Sequence, residues 1–331
     1  MEKRTLGRTG LEVSLLTFGC GAVGGLMTKG RPEDQRAAVV RALDSGVNLF
    51  DTAALYGNGT SETNLGRILA ELHPDIVLAT KVRIAPEEKT DIAVAVSASL
   101  DRSLARLGRD HVDLFQFHNT ITAAGEGEDF TPDMVLDHVV PAFERERRAG
   151  RVRFIGMTAI GDTDALHRVV DAGVFDTAQI VYNMLNPSAG QPVPAGFPGQ
   201  DYGTLLGRAR AAGMGTIGIR VLAGGALSGS EARHPLGMPV VAPIGSGFDY
   251  AEDVARARLL APVAAEAAGG DLVELAIRYA AAQPDLSTFE VGIATVAEFT
   301  GAVQAVERGP LDEVALAAIA RVQAGFSGNT V

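Results

Sequence analysis

Short apolar runs alternate with amphipathic stretches along nearly the whole chain. The apolar runs have the length of buried strands, and the stretches between them repeat apolar residues at helical spacing. Strands that alternate with helices in this way are typical of βα units and a parallel sheet. The predicted strands are 15–18, 47–51, 76–81, 112–118, 152–157, 177–181, 216–220 and 287–292.

Glycines mark the ends of several predicted helices. The clearest helical segments are 32–43, 62–72, 91–107, 132–149 and 162–172. Gly46, Gly108, Gly150 and Gly173 follow four of them, where a helix is expected to end. Eight strands with intervening helices and no break in composition favour a closed (β/α)8 TIM barrel over a doubly wound open sheet. We therefore expect a single domain over residues 1–331.

Three segments lie outside this alternation. RTLGRTGLEVS, residues 4–14, contains two short apolar runs around a Gly-Arg-Thr-Gly turn, which predicts an N-terminal β-hairpin that plugs the bottom of the barrel. The connections 183–200 and 227–250 are longer than most loops in compact domains, and long loops tend to be functional. Both follow predicted strands, so we expect them at the face where barrel enzymes hold their sites.

Composition and charge narrow the classes of partner. The chain is 47% hydrophobic and 21% charged, which is typical of globular proteins, and its net charge of -11 without a basic stripe argues against a nucleic-acid partner. No apolar run reaches the ~18 residues of a membrane span, and the N-terminus lacks a signal-peptide core. We expect a cytoplasmic protein with no membrane partner. Cys20, the only cysteine, can form neither an internal disulfide nor a cysteine metal site, so we interpret it as a small buried residue and expect no metal.

Polar residues close three of the first four predicted strands. Asp51, Lys81 and His118 end the runs NLFD, LATK and LFQFH, and the alternation within each strand turns them towards the barrel interior. Tyr56 lies five residues after Asp51, in a loop that reaches the same opening. Each residue alone would be an ordinary solvated or core residue. Together, at the ends of neighbouring strands, they predict one site with four titratable groups.

These residues carry a family resemblance. The stretch LFDTAALYGNGTSETNLGRIL, followed by ATK and then QFHN, resembles the aldo-keto reductases. The family's Asp, Tyr, Lys and His tetrad falls on Asp51, Tyr56, Lys81 and His118, and RTLGRTGLEVS is similar to the start of many bacterial members. The resemblance covers nearly the whole chain. It implies a (β/α)8 barrel, a nicotinamide cofactor bound without a Rossmann fold, and interconversion of a carbonyl and an alcohol.

The tetrad has a physical rationale of its own. Hydride addition to a carbonyl leaves an alkoxide, which needs a proton from a group within hydrogen-bond reach, and Tyr56 has one to give. The ordinary pKa of tyrosine is about 10, and we expect the ammonium of Lys81 to lower the pKa of Tyr56 by stabilising the phenolate. Asp51 would keep Lys81 charged and oriented. His118 would hydrogen-bond the substrate oxygen and orient it towards the nicotinamide.

Two further strand ends match cofactor contacts of the family. Gln179, in AQIVYN, corresponds to the glutamine that hydrogen-bonds the nicotinamide amide. IGMTA resembles the family's Ile-Gly-x-Ser-Asn, where Thr158 can replace the serine but Ala159 cannot replace the asparagine. We therefore expect one amide contact of the family to be missing. Ordinary packing at a strand end is the alternative interpretation of both polar residues.

The seventh predicted strand departs from the family pattern. Tyr-Ser-Pro-Leu followed by glycines is common there, whereas this chain has IRVLAGGALSG. Ile219 replaces the ring beneath the nicotinamide and would supply an apolar floor. Arg220 would contact the pyrophosphate, or would be a surface arginine paired with an acid. We expect Leu222, Gly224 and Leu227 to line the diphosphate path through backbone groups.

The segment EVGIATVAEFTGAV bears on the choice between NAD and NADP. Members that prefer NADP place a basic residue directly after the last strand and an arginine about one helical turn later. Here Ile293 and Phe299 occupy those positions, and Glu298 is the nearest charged side chain. A carboxylate repels a 2′-phosphate but accepts a hydrogen bond from a free ribose hydroxyl. We expect NAD to be used at least as well as NADP, unless Arg308 or Arg321 supplies a relocated clamp.

Two other functions are compatible with these residues. In a barrel aldolase or isomerase, Lys81 would form a Schiff base with a sugar. In a nicotinamide-sensing regulatory barrel, like the β subunits of potassium channels, the tetrad would bind the nucleotide with little turnover. The absence of tryptophan and the polar loop 183–200 favour a small polar substrate, such as a sugar or a short aldehyde. The oligomeric state is not readable from the sequence.

Overall fold

Eight parallel strands close into a barrel in a computed structural model that describes residues 1–243, 245–247 and 249–326. The barrel order is β10-β3-β4-β5-β6-β7-β8-β9, and β1 and β2 form a separate antiparallel pair. This confirms the predicted barrel and the N-terminal hairpin. The strands are β1 Lys3–Thr5, β2 Glu12–Ser14, β3 Leu16–Gly19, β4 Leu49–Asp51, β5 Val77–Val82, β6 Val112–Phe117, β7 Val152–Ala159, β8 Thr177–Val181, β9 Gly215–Ile219 and β10 Thr288–Gly292.

Helices connect and surround these strands. Gly108, which ends the fourth helix, has a φ of 63° and donates its N–H to the Leu104 carbonyl, which is the usual geometry of a glycine at a helix end. No helix in the described part of the chain is long and apolar enough to cross a membrane. The helices are α1 Leu26–Lys29, α2 Pro32–Asp44, α3 Thr60–Leu72, α4 Ile92–Leu107, α5 Pro132–Met134, α6 Val140–Arg148, α7 Thr163–Asp171, α8 Leu205–Ala211, α9 Tyr250–Arg258, α10 Ala261–Ala267, α11 Leu272–Ala281, α12 Val296–Glu307 and α13 Glu313–Ala324, with 3₁₀ turns at Gly7–Thr9, Pro86–Asp91 and Ala223–Ser228.

The predicted helix 132–149 is helical over 132–148 and contains a π turn. A π-helical segment, Val135–Val139, separates α5 from α6. Pro141 follows this segment in the first turn of α6, and it has no N–H to donate to the carbonyl four residues earlier. The wider π turn accommodates this break in the ladder. The predicted helical segment is therefore confirmed, and the π turn within it is a feature that apolar periodicity does not indicate.

Alternate residues of each strand face different cores. Leu49, Val77 and Leu114 pack inside the barrel, while Phe50 and Phe115 pack outwards against the helices. The inward positions near the carboxyl ends of the strands are the polar ones. This alternation positions the site.

The hairpin closes the opposite end of the barrel. Leu6 and Val13 join the inner apolar core and are fully buried. Arg4 donates from Nη1 to the Leu286 carbonyl at 2.9 Å and from Nη2 to the Ala281 carbonyl at 3.0 Å, which ties the hairpin to the end of α11 and to the loop before β10. The bottom of the barrel is therefore filled.

The two long loops contact each other at the carboxyl end of the barrel. Asn186, after β8, donates from Nδ2 to the carbonyl of Gly245 at 2.6 Å, and the N–H of Gln200 reaches the same carbonyl at 3.0 Å. Gly245 belongs to the loop after β9. The loops 183–200 and 227–250 thus lie on the expected face and together form part of the rim.

Candidate active site

Four polar side chains named from the sequence converge at the carboxyl end of the barrel. Asp51 ends β4, Lys81 lies one residue before the end of β5, and His118 directly follows β6. Tyr56 comes from the loop between β4 and α3. Lys81 Nζ lies 3.2 Å from the Tyr56 hydroxyl, and the rings of Tyr56 and His118 are 6.0 Å apart, edge to face. The structure brings all four together.

Lys81 is the centre of this cluster. Its buried Nζ bonds the Asp51 carboxylate, the Thr52 carbonyl at 2.9 Å and the Tyr56 hydroxyl at 3.2 Å, so all three ammonium hydrogens have partners. Burial acts to lower the pKa of Lys81, but Asp51, Tyr56 and Glu290 raise it, and the pKa lies above its ordinary value. Lys81 is therefore an ammonium.

Asp51 is held on both carboxylate oxygens. Oδ2 pairs with Lys81, and Oδ1 accepts a hydrogen bond from Gln116 Nε2 at 3.0 Å. Gln116 lies beside Lys81 in the β5–β6 register, on the same inner face. A buried charge needs such partners, because water cannot solvate it. These contacts fix the orientation of the Asp51–Lys81 pair.

Tyr56 departs from the sequence-based expectation. We expected Lys81 to bring the pKa of Tyr56 below its ordinary value, and Lys81 does act in that direction. Burial outweighs it, and the nearby Asp51 and Glu290 add to the increase, so the pKa of Tyr56 is raised to about 12. In this structure Tyr56 holds its proton firmly.

His118 is neutral. Burial, with the cations Lys81 and Arg83, lowers the pKa of His118 to about 3. Its Nδ1 is buried and has no hydrogen-bond partner among the described residues. A neutral imidazole carries one N–H donor and one acceptor, so His118 can hydrogen-bond a carbonyl or hydroxyl oxygen without adding a charge.

A buried polar layer supports the strand that carries Lys81. Glu62, on α3, is fully buried and accepts hydrogen bonds from Thr80 Oγ1 at 2.5 Å and from Arg106 Nε at 2.7 Å. Cys20 is also buried, as expected, and its N–H donates to the Asp51 carbonyl at 2.9 Å. These contacts join α3, α4 and β3 to the strands of the site.

A fifth ionisable side chain, Glu290, lies in the same space and is absent from the sequence-based prediction. It is the second residue after Thr288 on β10, and Thr288 is a buried inward-facing residue. Glu290 Oε2 lies 3.6 Å from the position that a Cβ on Gly19 would occupy, and Gly19 pairs with Asp51 in register. The signal was present in the sequence, since STFEVG has a charged residue at an inward position of an apolar strand.

Thr158 and Gln179 lie side by side in the β7–β8 register. The Thr158 hydroxyl donates to Gln179 Oε1 at 3.1 Å, which orients the amide. Gln179 Nε2 is buried and has no acceptor among the described residues. An unpartnered amide N–H₂ at this point fits the oxygen of a carboxamide. Ala159, next to Thr158, offers no polar side chain.

The end of β9 differs slightly from the prediction. β9 ends at Ile219, and Arg220 lies just beyond it with a φ of 58°. Ile219 is buried and lies two residues after Ile217, which packs in the inner core of the barrel. Arg220 is half-buried, its Nη1 has no partner among the described residues, and burial lowers its pKa. It is therefore not the acid-paired surface arginine of the alternative interpretation.

The glycine turn after β9 is only partly available to a ligand. Gly224 has a φ of 69°, and its carbonyl accepts a hydrogen bond from Arg233 Nη1 at 2.7 Å. Leu227 is fully buried and donates its N–H to the carbonyl of Leu222 at 3.2 Å. Because this N–H already has an acceptor, Leu227 does not supply a free backbone donor to a diphosphate.

The segment after β10 carries no cation at the three compared positions. Ile293 is buried, and its backbone lies against Gly24. A Cβ added to Gly24 would lie 2.2 Å from the backbone N of Ile293. Phe299 is a core residue whose ring centroid lies 5.0 Å from that of Phe18. Glu298, in the first turn of α12, accepts a hydrogen bond from the Ala294 N–H at 2.7 Å. These contacts leave no phosphate clamp at this point.

Arg308 is committed elsewhere. It follows the last residue of α12, and its guanidinium pairs with Glu274 on α11. A helix after a barrel strand runs back towards the bottom, so its end lies away from the site. Arg308 therefore lies at the far end of α12 from Ile293 and Glu298.

The closed barrel and the polar cluster at its mouth define the class of protein. The model of the Aldo/keto reductase family matches residues 15–324, and the chain belongs to this family. It is an oxidoreductase, and the family implies a nicotinamide cofactor.

The chain is similar to several individual proteins of known name. The chain is 28% identical over 311 residues to L-galactose dehydrogenase of Arabidopsis thaliana, covering 92% of this chain and 88% of that protein. It is 30% identical over 214 residues to D-threo-aldose 1-dehydrogenase of a Pseudomonas species, covering 56% and 63%. Aldo-keto reductase AKR11C1 from Bacillus halodurans, solved in its holo form, superposes with a TM-score of 0.70 at 25% identity and covers 100% of this chain and 98% of that one.

Proposed function

We propose that this chain, acting as one barrel domain, interconverts a carbonyl and an alcohol, with Tyr56 as the general acid and base. The main support is the row of hydrogen bonds from Asp51 through Lys81 to the Tyr56 hydroxyl, next to the neutral His118. The bound nicotinamide would supply the hydride for reduction and accept it in oxidation. The side chains of this site would transfer the proton and orient the substrate.

In reduction, Tyr56 donates its proton to the oxygen of the substrate as negative charge develops there. The N–H of His118 hydrogen-bonds the same oxygen and orients the carbonyl. Lys81 stabilises the phenolate that Tyr56 becomes, and Asp51 keeps Lys81 charged and in place. In oxidation the same groups act in reverse, with the Tyr56 phenolate as base.

The residues present fit a nicotinamide. Gln179 has a buried amide donor without a partner among the described residues and is oriented by Thr158, so these two would hold the carboxamide. Ile219 would form the apolar floor beneath the ring. Arg220 and the turn containing Leu222 and Gly224 would lie along the diphosphate.

We further propose that NAD is used at least as well as NADP. The support is the absence of a cation at Ile293, Phe299 and Glu298, together with the commitment of Arg308 to Glu274. A lost charge-assisted contact to the 2′-phosphate costs NADP about 1.5 to 3 kcal/mol. The second carboxylate oxygen of Glu298 would accept a hydrogen bond from the free ribose hydroxyl of NAD.

A small polyhydroxylated carbonyl or its alcohol is the substrate class we favour. The polar rim formed by loops 183–200 and 227–250 supports it, as does the similarity to a galactose and an aldose dehydrogenase. A Schiff-base role for Lys81 is disfavoured, because its ammonium is fully hydrogen-bonded and its raised pKa keeps it protonated.

Tyr56→Phe tests the proposal. The variant lacks the acidic hydroxyl but keeps the ring, so we expect kcat to fall ~10²- to 10⁴-fold while cofactor affinity stays nearly unchanged. Turnover is measured over a panel of aldoses and aldehydes in both directions, and affinity by the fluorescence of bound NADH or NADPH. Full kcat in the variant contradicts the role of Tyr56. Tight nucleotide binding by the wild type without turnover of any substrate would favour the nicotinamide-sensing alternative.

A further inference from the structure

Two carboxyl groups share the inner wall of the barrel beside Lys81. β3 separates the strands that carry Glu290 and Asp51, and its inward residue between them is Gly19. Because Gly19 has no side chain, the Glu290 carboxyl extends over it, with Oε2 only 3.6 Å from the position of a Gly19 Cβ. Glu290 is half-buried, and its Oε2 lies over Gly19, which pairs with Asp51.

The hydrogen bonds of the two groups are unequal. Asp51 has a donor on each oxygen, Lys81 on one and Gln116 on the other. Glu290 Oε2 is buried and has no donor among the described residues. Two ionised carboxylates cannot bond each other, since neither has a hydrogen to give. If Glu290 carries a proton, its side chain forms a hydrogen bond to Asp51, and both groups are satisfied.

The surroundings of Glu290 also favour its protonated form. Several ionisable groups act on Glu290 or respond to its charge. They are Asp51 on β4, Lys81 on β5, Arg220 just after β9, Tyr56 in the loop after β4 and Cys20 after β3. Burial raises the pKa of Glu290 and the Asp51 charge raises it further, whereas Lys81 and Arg220 lower it. The net pKa lies well above the ordinary value, as is usual for two carboxyl groups in one site.

We propose that Glu290 is a positioning residue of this site, a neutral carboxylic acid that donates its hydrogen to Asp51 and so holds the Asp51–Lys81 pair towards Tyr56. The catalytic part of this role rests on the function proposed above for Tyr56. The neutral state of Glu290 and its bond to Asp51 do not, and they are measurable on the protein alone.

Infrared difference spectroscopy tests the proton. We expect the wild type at neutral pH to show the carbonyl stretch of a protonated carboxyl group, and Glu290→Gln to lack it. Among the described residues, Asp253 is the other carboxyl with a raised pKa, to about 6 and mainly by burial, so Asp253→Asn identifies its share. A spectrum that Glu290→Gln leaves unchanged overturns the proposal.

Stability as a function of pH is a second measurement. Because the folded pKa of Glu290 is raised, its contribution to stability is present below the unfolded pKa, 4.5, and is lost as the pH rises through the folded value. Glu290→Gln cannot ionise, so we expect its melting temperature to exceed that of the wild type increasingly from pH 5 upwards. A difference that does not change with pH contradicts the proposal. Glu307→Gln, at an exposed position, is the matched control.

Kinetics distinguish positioning from simple packing. Glu290→Gln keeps a hydrogen-bond donor for Asp51, so we expect it to retain most of kcat, whereas Glu290→Leu should lose about tenfold in kcat, the equivalent of one hydrogen bond, at unchanged KM. At a pH high enough to ionise Glu290, its charge raises the pKa of Tyr56, so the rise of the oxidation rate with pH should begin earlier in Glu290→Gln, which stays neutral.

Thr288→Val controls for damage to β10, because it removes an inward hydroxyl two residues earlier on the same strand. It should leave the pH profile in place. Equal loss of kcat in the Gln and Leu variants, or the same profile shift in Thr288→Val, overturns the positioning role. If Tyr56→Phe keeps full kcat while the infrared band of Glu290 is present, the proposed function fails and the neutral acid stands.

Discussion

At Tyr56, burial and a neighbouring ammonium act in opposite directions on one proton. Burial is the larger effect, so the phenol keeps its proton. This state suits proton donation to a developing alkoxide. The reverse reaction needs the phenolate, and the Lys81 ammonium is the described group that most strongly lowers the pKa of Tyr56.

Lys81→Met should therefore affect oxidation more than reduction. Without the ammonium the pKa of Tyr56 rises still further, and the pH at which the oxidation rate increases should move upwards by about one to three units, or the oxidation should be silenced. The measurement is kcat/KM for alcohol oxidation as a function of pH. Lys29→Met, at an exposed position, should keep the wild-type profile, and an unshifted profile in Lys81→Met would mean that another group titrates.

What the sequence could predict at this scale follows from strand periodicity. Alternation turns Asp51 and Lys81 inwards, because strand side chains alternate between two faces, and both residues do converge. The same periodicity applies to Glu290, but no family motif draws attention to it. The net pKa of Tyr56 could not be obtained from the sequence, since it depends on how deeply the assembled loops bury the ring.

Among the elements, α3 and α4 pack closely at Gly66. A Cβ at Gly66 would lie 2.5 Å from the Arg106 carbonyl oxygen and 2.8 Å from the Leu107 Cα, and these are backbone atoms that cannot turn away. Gly66→Ala should therefore destabilise the protein by about 1 to 3 kcal/mol in urea unfolding. Gly301→Ala, on α12, meets open space and should stabilise it by about 0.5 to 1 kcal/mol, as glycine replacement in a helix usually does.

The start of α12 bears on the choice of nucleotide. Thr295 and Glu298 cap this helix through side-chain bonds, and neither brings a positive side chain to a 2′-phosphate. We expect NADH to bind at least as tightly as NADPH when the fluorescence of each nucleotide is titrated with protein. Glu298→Gln should remove part of any preference for NADH, because it removes the charge that repels the phosphate. Binding of NADPH more than tenfold tighter than NADH would contradict this prediction.

Element boundaries show where local patterns are insufficient. Apolar periodicity runs through 132–149 and the segment is helical, yet it contains a π turn just before Pro141. Proline is compatible with the first turn of a helix and with its interruption, and only packing decides between them. The loop 183–200 was identified by length alone, and its hydrogen bonds to Gly245 join residues that are far apart in the sequence.

For the whole molecule, the N-terminal hairpin is part of the barrel core. Leu6 is fully buried with the inward residues of β4, β5 and β6. Leu6→Ala should leave a cavity and cost about 2 to 5 kcal/mol of unfolding free energy. Because Leu6 lies at the end opposite to the site, kcat below the melting temperature should be unchanged. Val314→Ala, at a side chain that is 76% exposed, should change stability by no more than about 0.5 kcal/mol.

The filled barrel bottom also has a kinetic consequence. A barrel that is open at one end only must bind two ligands in a fixed order when one of them lies deeper than the other. If the nicotinamide rests on Ile219 against Gln179, it occupies the deeper place, and the substrate arrives above it. The nucleotide then enters first and leaves last, and a product that dissociates slowly retains the spent nucleotide beneath it. The turnover rate then depends on the order in which product and nucleotide dissociate as well as on the chemical step.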